Sequence, residues 1–161
     1  MKNSETALGV LFAIAMAMGT VLAADVSYSF PRKGRFILPS STAHEIFEQC
    51  SRSAPNAKSE IWTPSEEDIQ ELESLLPKYL EGRNKPHSET PPQGEYHRQY
   101  VGFIQNGERY IYGNFYQAES WTAGSESSHA VRVCDGGPSF WGIVFQVRTK
   151  TFQDIHFNGR A

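Results

Sequence analysis

The chain has 161 residues, 39% of them hydrophobic and 20% charged, with a formal net charge of −3. That length suits one domain. The weak negative charge supplies no basic field for nucleic acid or for anionic lipid.

The segment from Met1 to Ala24 reads as a secretory signal peptide. Lys2 gives a basic start, Ala7 to Ala24 carries no charge, and Val21-Leu22-Ala23-Ala24 supplies small residues for cleavage. The alternative is an uncleaved anchor, since a spanning helix needs about 20 apolar residues. The block after Ala24 has no Lys/Arg stop-transfer cluster, which favours cleavage after Ala23 or Ala24 and no stable membrane insertion afterwards. The expected mature domain, 25–161, holds all three Trp, all seven Tyr and nine of the ten Phe.

Residues 25–41 read as an extended lead-in broken by Pro31 and Pro39. A short helix is expected over 43–50, capped by Ser40, Ser41 or Thr42. The clearest helix follows. Thr63 and Glu66 stand at capping-box spacing, Pro64 takes the first helical position, and Glu66, Glu67 and Asp68 load the first turn. Ile69, Leu72, Leu76 and Leu80 recur at helical spacing, and Pro77 is expected to kink or end the helix near Leu76. Residues 83–94, with Pro86, Pro91 and Pro92, form a long surface loop.

From Glu95 the pattern is β. Asn106-Gly107 is the two-residue type I′ hairpin pair. It sets Phe103 opposite Tyr110 and Val101 opposite Tyr112. One face then carries Val101, Phe103, Tyr110, Tyr112 and Tyr116. The other carries Tyr100, Ile104, Ile111 and Phe115 with Gly102 and Gly113, and the long helix is expected to cross it. Further strands are expected over 130–134, 140–147 and 151–157, with Asp135-Gly136-Gly137-Pro138 as a tight connection. The fold class is α+β: two helices, one short and one long, on a four- to five-stranded antiparallel meander. That element order resembles small secreted inhibitor and binding domains of the β-lactamase-inhibitory-protein type, and cystatin-like and nuclear-transport-factor-like folds.

Two cysteines, Cys50 and Cys134, in an exported chain imply one disulfide. The alternative is a thiolate nucleophile at Cys134 beside Asp135. His44-Glu45-x-x-Glu48 lacks the second histidine of a metalloprotease helix and reads as a solvated group. Ser139 lies among glycines without the nucleophile-elbow spacing. His97, His129 and His156, with Asp135 or Asp154, are the material for a hydrolytic site. Asp154 and His156 share a strand face. No cofactor or metal set is legible.

The strongest binding candidate is the aromatic face: Tyr110, Tyr112, Tyr116, Val101 and Phe103, extended by Trp121. Tyrosine gives large contact area and a polar handle. The competing expectation is that the N-terminal segment or loop 83–94 covers this face. The functional expectation is therefore a secreted or periplasmic binding protein with a protein partner, including an inhibitor of an envelope-directed enzyme. A small exported hydrolase is the alternative.

Overall fold

A computed structural model describes residues 28, 30–31, 33–56, 59–83, 89–117, 124–153 and 155–160. The expected signal segment, Trp121, Asp154 and the Lys/Pro part of loop 83–94 lie outside the described residues. Over the described residues the fold is mixed α/β: one α-helix on a seven-stranded, mostly antiparallel sheet.

The strands are β1 (Arg35–Ile37), β2 (Glu60–Trp62), β3 (Tyr96–Gln105), β4 (Glu108–Gln117), β5 (Phe140–Gln146), β6 (Thr151–Phe152) and β7 (His156–Phe157), and the helix α1 is Glu66–Gly82. The sheet order is β1-β3-β4-β5-β6, with β2 also on β3 and β7 also on β5. Among the described residues only β1 and β3 pair in parallel. Among the described residues both edges consist of two- and three-residue strands, which leaves no long open ladder there for edge-to-edge pairing.

The β3–β4 hairpin has the register that Asn106-Gly107 dictates: Phe103 pairs with Tyr110 and Val101 with Tyr112. Asn106 and Gly107 both have positive φ, 53° and 77°, as a type I′ turn requires. The α1 stripe Ile69, Leu72, Leu76 and Leu80 is fully buried against Tyr100, Ile111 and Phe115, with Trp141, Ile143 and Phe145 from β5. The helix thus crosses the face that was expected to receive it.

Several local expectations change. The helix begins two residues later than its first capping box suggests. Ser65 is the N-cap, and Ser65 and Asp68 form the reciprocal box. Pro77 does not end the helix, which runs on to Gly82. A helix-interior proline costs about 3 kcal/mol. Beyond it, Leu80 is fully buried, Tyr79 Oη donates to Gln153 O at 2.9 Å, and the Tyr79 ring meets Phe152 at 4.9 Å. Burying one large apolar side chain is worth roughly 1.5–3 kcal/mol, so the continued turn offsets the proline.

The short helix expected over 43–50 is instead a 3-10 helix, Ala43–Phe47. Thr42 is its N-cap residue, as one of the expected caps, but its hydroxyl makes no cap bond and donates to Ser128 O at 2.6 Å. Residues 130–134 are not a strand, because β4 already pairs with β5 along its length. Their backbone is satisfied by side chains: Val131 N donates to Gln99 Oε1 at 2.7 Å and Val131 O accepts from Asn114 Nδ2 at 2.9 Å. The expected last strand is split into β6 and β7. β1 and β2 were not anticipated, since three-residue strands carry too little periodicity to read.

Cys50 and Cys134 form the expected disulfide, which removes Cys134 as a nucleophile. Among the described residues no helix is long and apolar enough to cross a membrane.

Candidate functional site

The aromatic face is mostly covered. Ala43, Ile46 and Phe47 of the 3-10 helix lie on Val101, Phe103, Tyr112 and Val144. The Phe47 ring meets Phe103 edge-on at 5.7 Å and Tyr112 at 5.8 Å. Farther along, Val131 and Val133 cover Tyr116. Val101, Phe103, Tyr112 and Tyr116 are each 1% exposed or less. They build a second core, and four of the six residues expected to meet a partner are almost wholly buried. The reason is the amphipathic lid: two large apolar side chains from a short 3-10 turn find their apolar counterpart here. Tyr110 is half-buried and stacks on Phe103 at 5.4 Å.

Polar side chains on the same face fasten the lid. Gln99 and Asn114 are opposed across β3 and β4 and are buried. Gln99 Nε2 donates to Glu126 O and His129 O, both at 2.7 Å. Asn114 Nδ2 donates to Gln99 Oε1 at 3.1 Å. Asn158 Nδ2 donates to Val133 O and to Asp135 O. Outside this ladder, Ala130 N donates to Glu45 Oε2 at 3.1 Å, and His129 Nδ1 lies 3.1 Å from Glu45 Oε1. The Ala130 amide, then the His129 ring, hold the Glu45 carboxyl below the usual carboxylate range.

Arg52 closes the ladder. It lies two residues past Cys50, in the strap that leads from the lid toward β2. Its Nε donates to Tyr112 Oη at 3.2 Å, Nη1 donates to Asn158 Oδ1, and Nη2 donates to Asn114 Oδ1. The Tyr112 hydroxyl reaches this place because residue 142 on β5 is glycine; a Cβ there would overlap it. Burial pushes the Tyr112 phenol up, with Arg52 opposing. All three acceptors of Arg52 are neutral, and among the described residues no carboxylate pairs with it.

On the opposite face of the sheet charges are matched. Arg98, fully buried, donates to Glu73 Oε1 at 2.7 Å, and Arg35 bonds Glu73 and Glu66. Tyr100 Oη donates to the same Glu73 oxygen at 3.0 Å, and burial pushes its phenol up. A hollow of about 550 Å³ beside Glu73 and Pro77 opens broadly to solvent.

The lid leaves one end of the aromatic face open. There a cleft of about 150 Å³ lies over Phe103, Tyr112 and Val144. Its rim is Ser53, Ala54 and Pro55 of the strap, Gln105 of the hairpin, and Gln153 and His156. The floor is aromatic and aliphatic, and Tyr112, whose hydroxyl takes the Arg52 bond, is part of its wall.

Among the described residues the histidines do not converge. His97 is half-buried under Gly34, with its ring 5.7 Å from Tyr116. His129 sits on Glu45, and of the described histidines only His156 reaches the cleft. Asp135 is exposed, and His44 is exposed while Glu48 pairs with Arg132 at 2.8 Å. Among the described residues no three His, Cys, Asp or Glu side chains are grouped to hold a metal. Sequence reasoning missed Arg52 and the strap. Arg52's three partners lie 60, 62 and 106 positions away along the chain, and no local pattern reports that. Comparison with known family models, with curated proteins and with solved structures gave no match, so the likeness in element order to small inhibitor domains gains no support.

Proposed function

We propose that the chain is an exported binding protein, of the kind that grips a partner protein or inhibits an envelope-directed enzyme, and that it works through the open end of its aromatic sheet face. The observation that carries this reading is the cleft over Phe103, Tyr112 and Val144. It has an apolar floor, a polar rim and an arginine bonded to its wall, the make-up of a binding pocket. Export is supported by the charge-free run from Ala7 to Ala24 and by the Cys50–Cys134 disulfide. The hydrolase alternative is weaker. Ser53 and His156 both stand on the rim, yet among the described residues no hydrogen bond joins His156 to a serine or a carboxylate.

The test is a titration with phenol, a neutral single-ring probe, followed by NMR. Shifts are expected at Phe103, Tyr112, Val144 and His156, and they should vanish in Ala54→Trp, which plugs the rim. Shifts scattered over the surface, or unchanged by Ala54→Trp, contradict the reading. Export is tested by expressing the full chain and weighing the processed product, which should begin at Ala24 or Asp25.

A further inference from the structure

The cleft has a chemical preference that its shape alone does not set. A cavity of roughly 150 Å³ with apolar walls is the size that admits one benzene ring. The cleft has that volume and an apolar floor. One hydrogen bond away stands Arg52, a half-buried cation whose bonds all go to neutral oxygens of Tyr112, Asn114 and Asn158. A guanidinium has five N–H donors. Three are used, which leaves one on each terminal nitrogen without a partner among the described residues. The Tyr112 hydroxyl accepts from Arg52 Nε, so its own proton remains to be donated, and among the described residues nothing accepts it.

A cation held in place by neutral acceptors keeps its full charge, and a partly buried charge is stabilised most by an opposite charge that can also accept its free N–H groups. The cleft rim contributes Ser53, Gln105, Gln153 and His156 and no carboxylate among the described residues. The contrast with Arg98 and Arg35 is direct, because those two are neutralised by Glu73 and Glu66.

We infer that the cleft takes a carboxylate carried on an apolar body of about one ring's size, the ring lying over Phe103, Tyr112 and Val144 and the carboxylate turned toward the Tyr112 hydroxyl and, behind the cleft lining, Arg52. The inference rests on the binding reading above and names the ligand class of that same site. Two sources offer this chemistry: a free aromatic or branched acid, and the C-terminal residue of a partner chain.

Calorimetry on the whole mature protein with benzoate and benzamide separates shape from charge, since the two differ little in volume. Benzoate is expected to bind at least about tenfold tighter, the low end of what a charge-assisted bond adds. Arg52→Gln should bring the two ligands level. Because Arg52 also fastens the strap, Ser53→Glu is the second variant. Ser53 is exposed and its neighbour Arg52 would gain a carboxylate within the chain, so the benzoate preference should vanish with the circular dichroism unchanged. Equal binding of benzoate and benzamide to the wild type, at the cleft, overturns the charge inference and leaves the cleft standing. Failure of both, together with failure of phenol, removes the cleft reading itself. N-acetylphenylalanine distinguishes the sources: tighter binding than benzoate assigns the carboxylate to a chain terminus, weaker binding to a free acid, and either supports the anion site.

Discussion

Replacing Cys50 and Cys134 together by serine removes a bond that spans 84 positions of sequence. In the chain-entropy account, closing a loop of that length takes about 15 cal/mol/K from the unfolded ensemble, or about 4.5 kcal/mol at 25 °C. A domain of this size has a total stability of about 5–15 kcal/mol, so the loss is a large share of it. The expected fall in melting temperature is about 10–20 °C. Urea unfolding followed by tryptophan fluorescence and far-ultraviolet circular dichroism measures the change. The denaturant slope should also rise, because an uncrosslinked unfolded chain exposes more surface. Both cysteines are exposed, so the substitution opens no core cavity, and the effect belongs to the unfolded chain and to the lid. The bridge ties the end of the lid to the segment that covers Tyr116, and Arg52 follows two residues later. The same variant should therefore lose benzoate affinity even where it remains folded. A destabilisation under about 1 kcal/mol would refute the loop-closure reasoning. Unchanged affinity in a folded double variant would refute the coupling between bridge and strap.

Three other outcomes follow from the fold. Asn114→Ala strips acceptors or donors from Arg52, Gln99 and Val131 at a site 2% exposed, and should cost about 2–4 kcal/mol by chemical denaturation; a cost under about 0.5 kcal/mol would mean water replaces the amide. Glu45 is held below its ordinary value of 4.5, first by the Ala130 amide and then by His129. Its contribution is complete above that value and is lost as pH falls through the lower folded-state pKa. The protection of the Ala130 amide, measured against its intrinsic exchange rate at each pH, should fall on acidification below about pH 4.5, and Glu45→Gln should flatten that response; an identical profile in the variant would exclude Glu45 as its source. Pro77→Ala restores a helix donor that Glu73 O can accept and should raise stability by about 1–3 kcal/mol, whereas a loss would mean that the proline ring packs better than the helix geometry implies.

What could be read in the sequence was what neighbouring residues decide. Ile69, Leu72, Leu76 and Leu80 lie within one helix, and Asn106-Gly107 sets the hairpin register by itself, so the α1 stripe and the Phe103–Tyr110 pairing were legible. The cap moved from Thr63 to Ser65 because two capping boxes overlap there, and only the Ser65 box closes on both sides. The aromatic face was found correctly as a face. That it would be covered stood as one of two expectations; that Ile46 and Phe47 supply the cover was not legible, because they reach it from more than 50 positions earlier, out of a turn too short to show a period. Residues 130–134 alternate like a strand, yet Gln99 and Asn114 supply their hydrogen bonds from the sheet face. The candidate site was half legible: Phe103 and Tyr112 were named, while Arg52 and the Ser53–Pro55 rim come from a polar loop with no chemical signature of its own.

The most direct measurement of the central claim is the NMR signal of the Arg52 Nε–H group during a benzoate titration. The account predicts that this signal moves in step with those of Tyr112, Val144 and His156, and that benzamide moves the latter three with little effect on Arg52. Benzoate shifts that leave Arg52 unmoved, or that gather away from Tyr112, would contradict it.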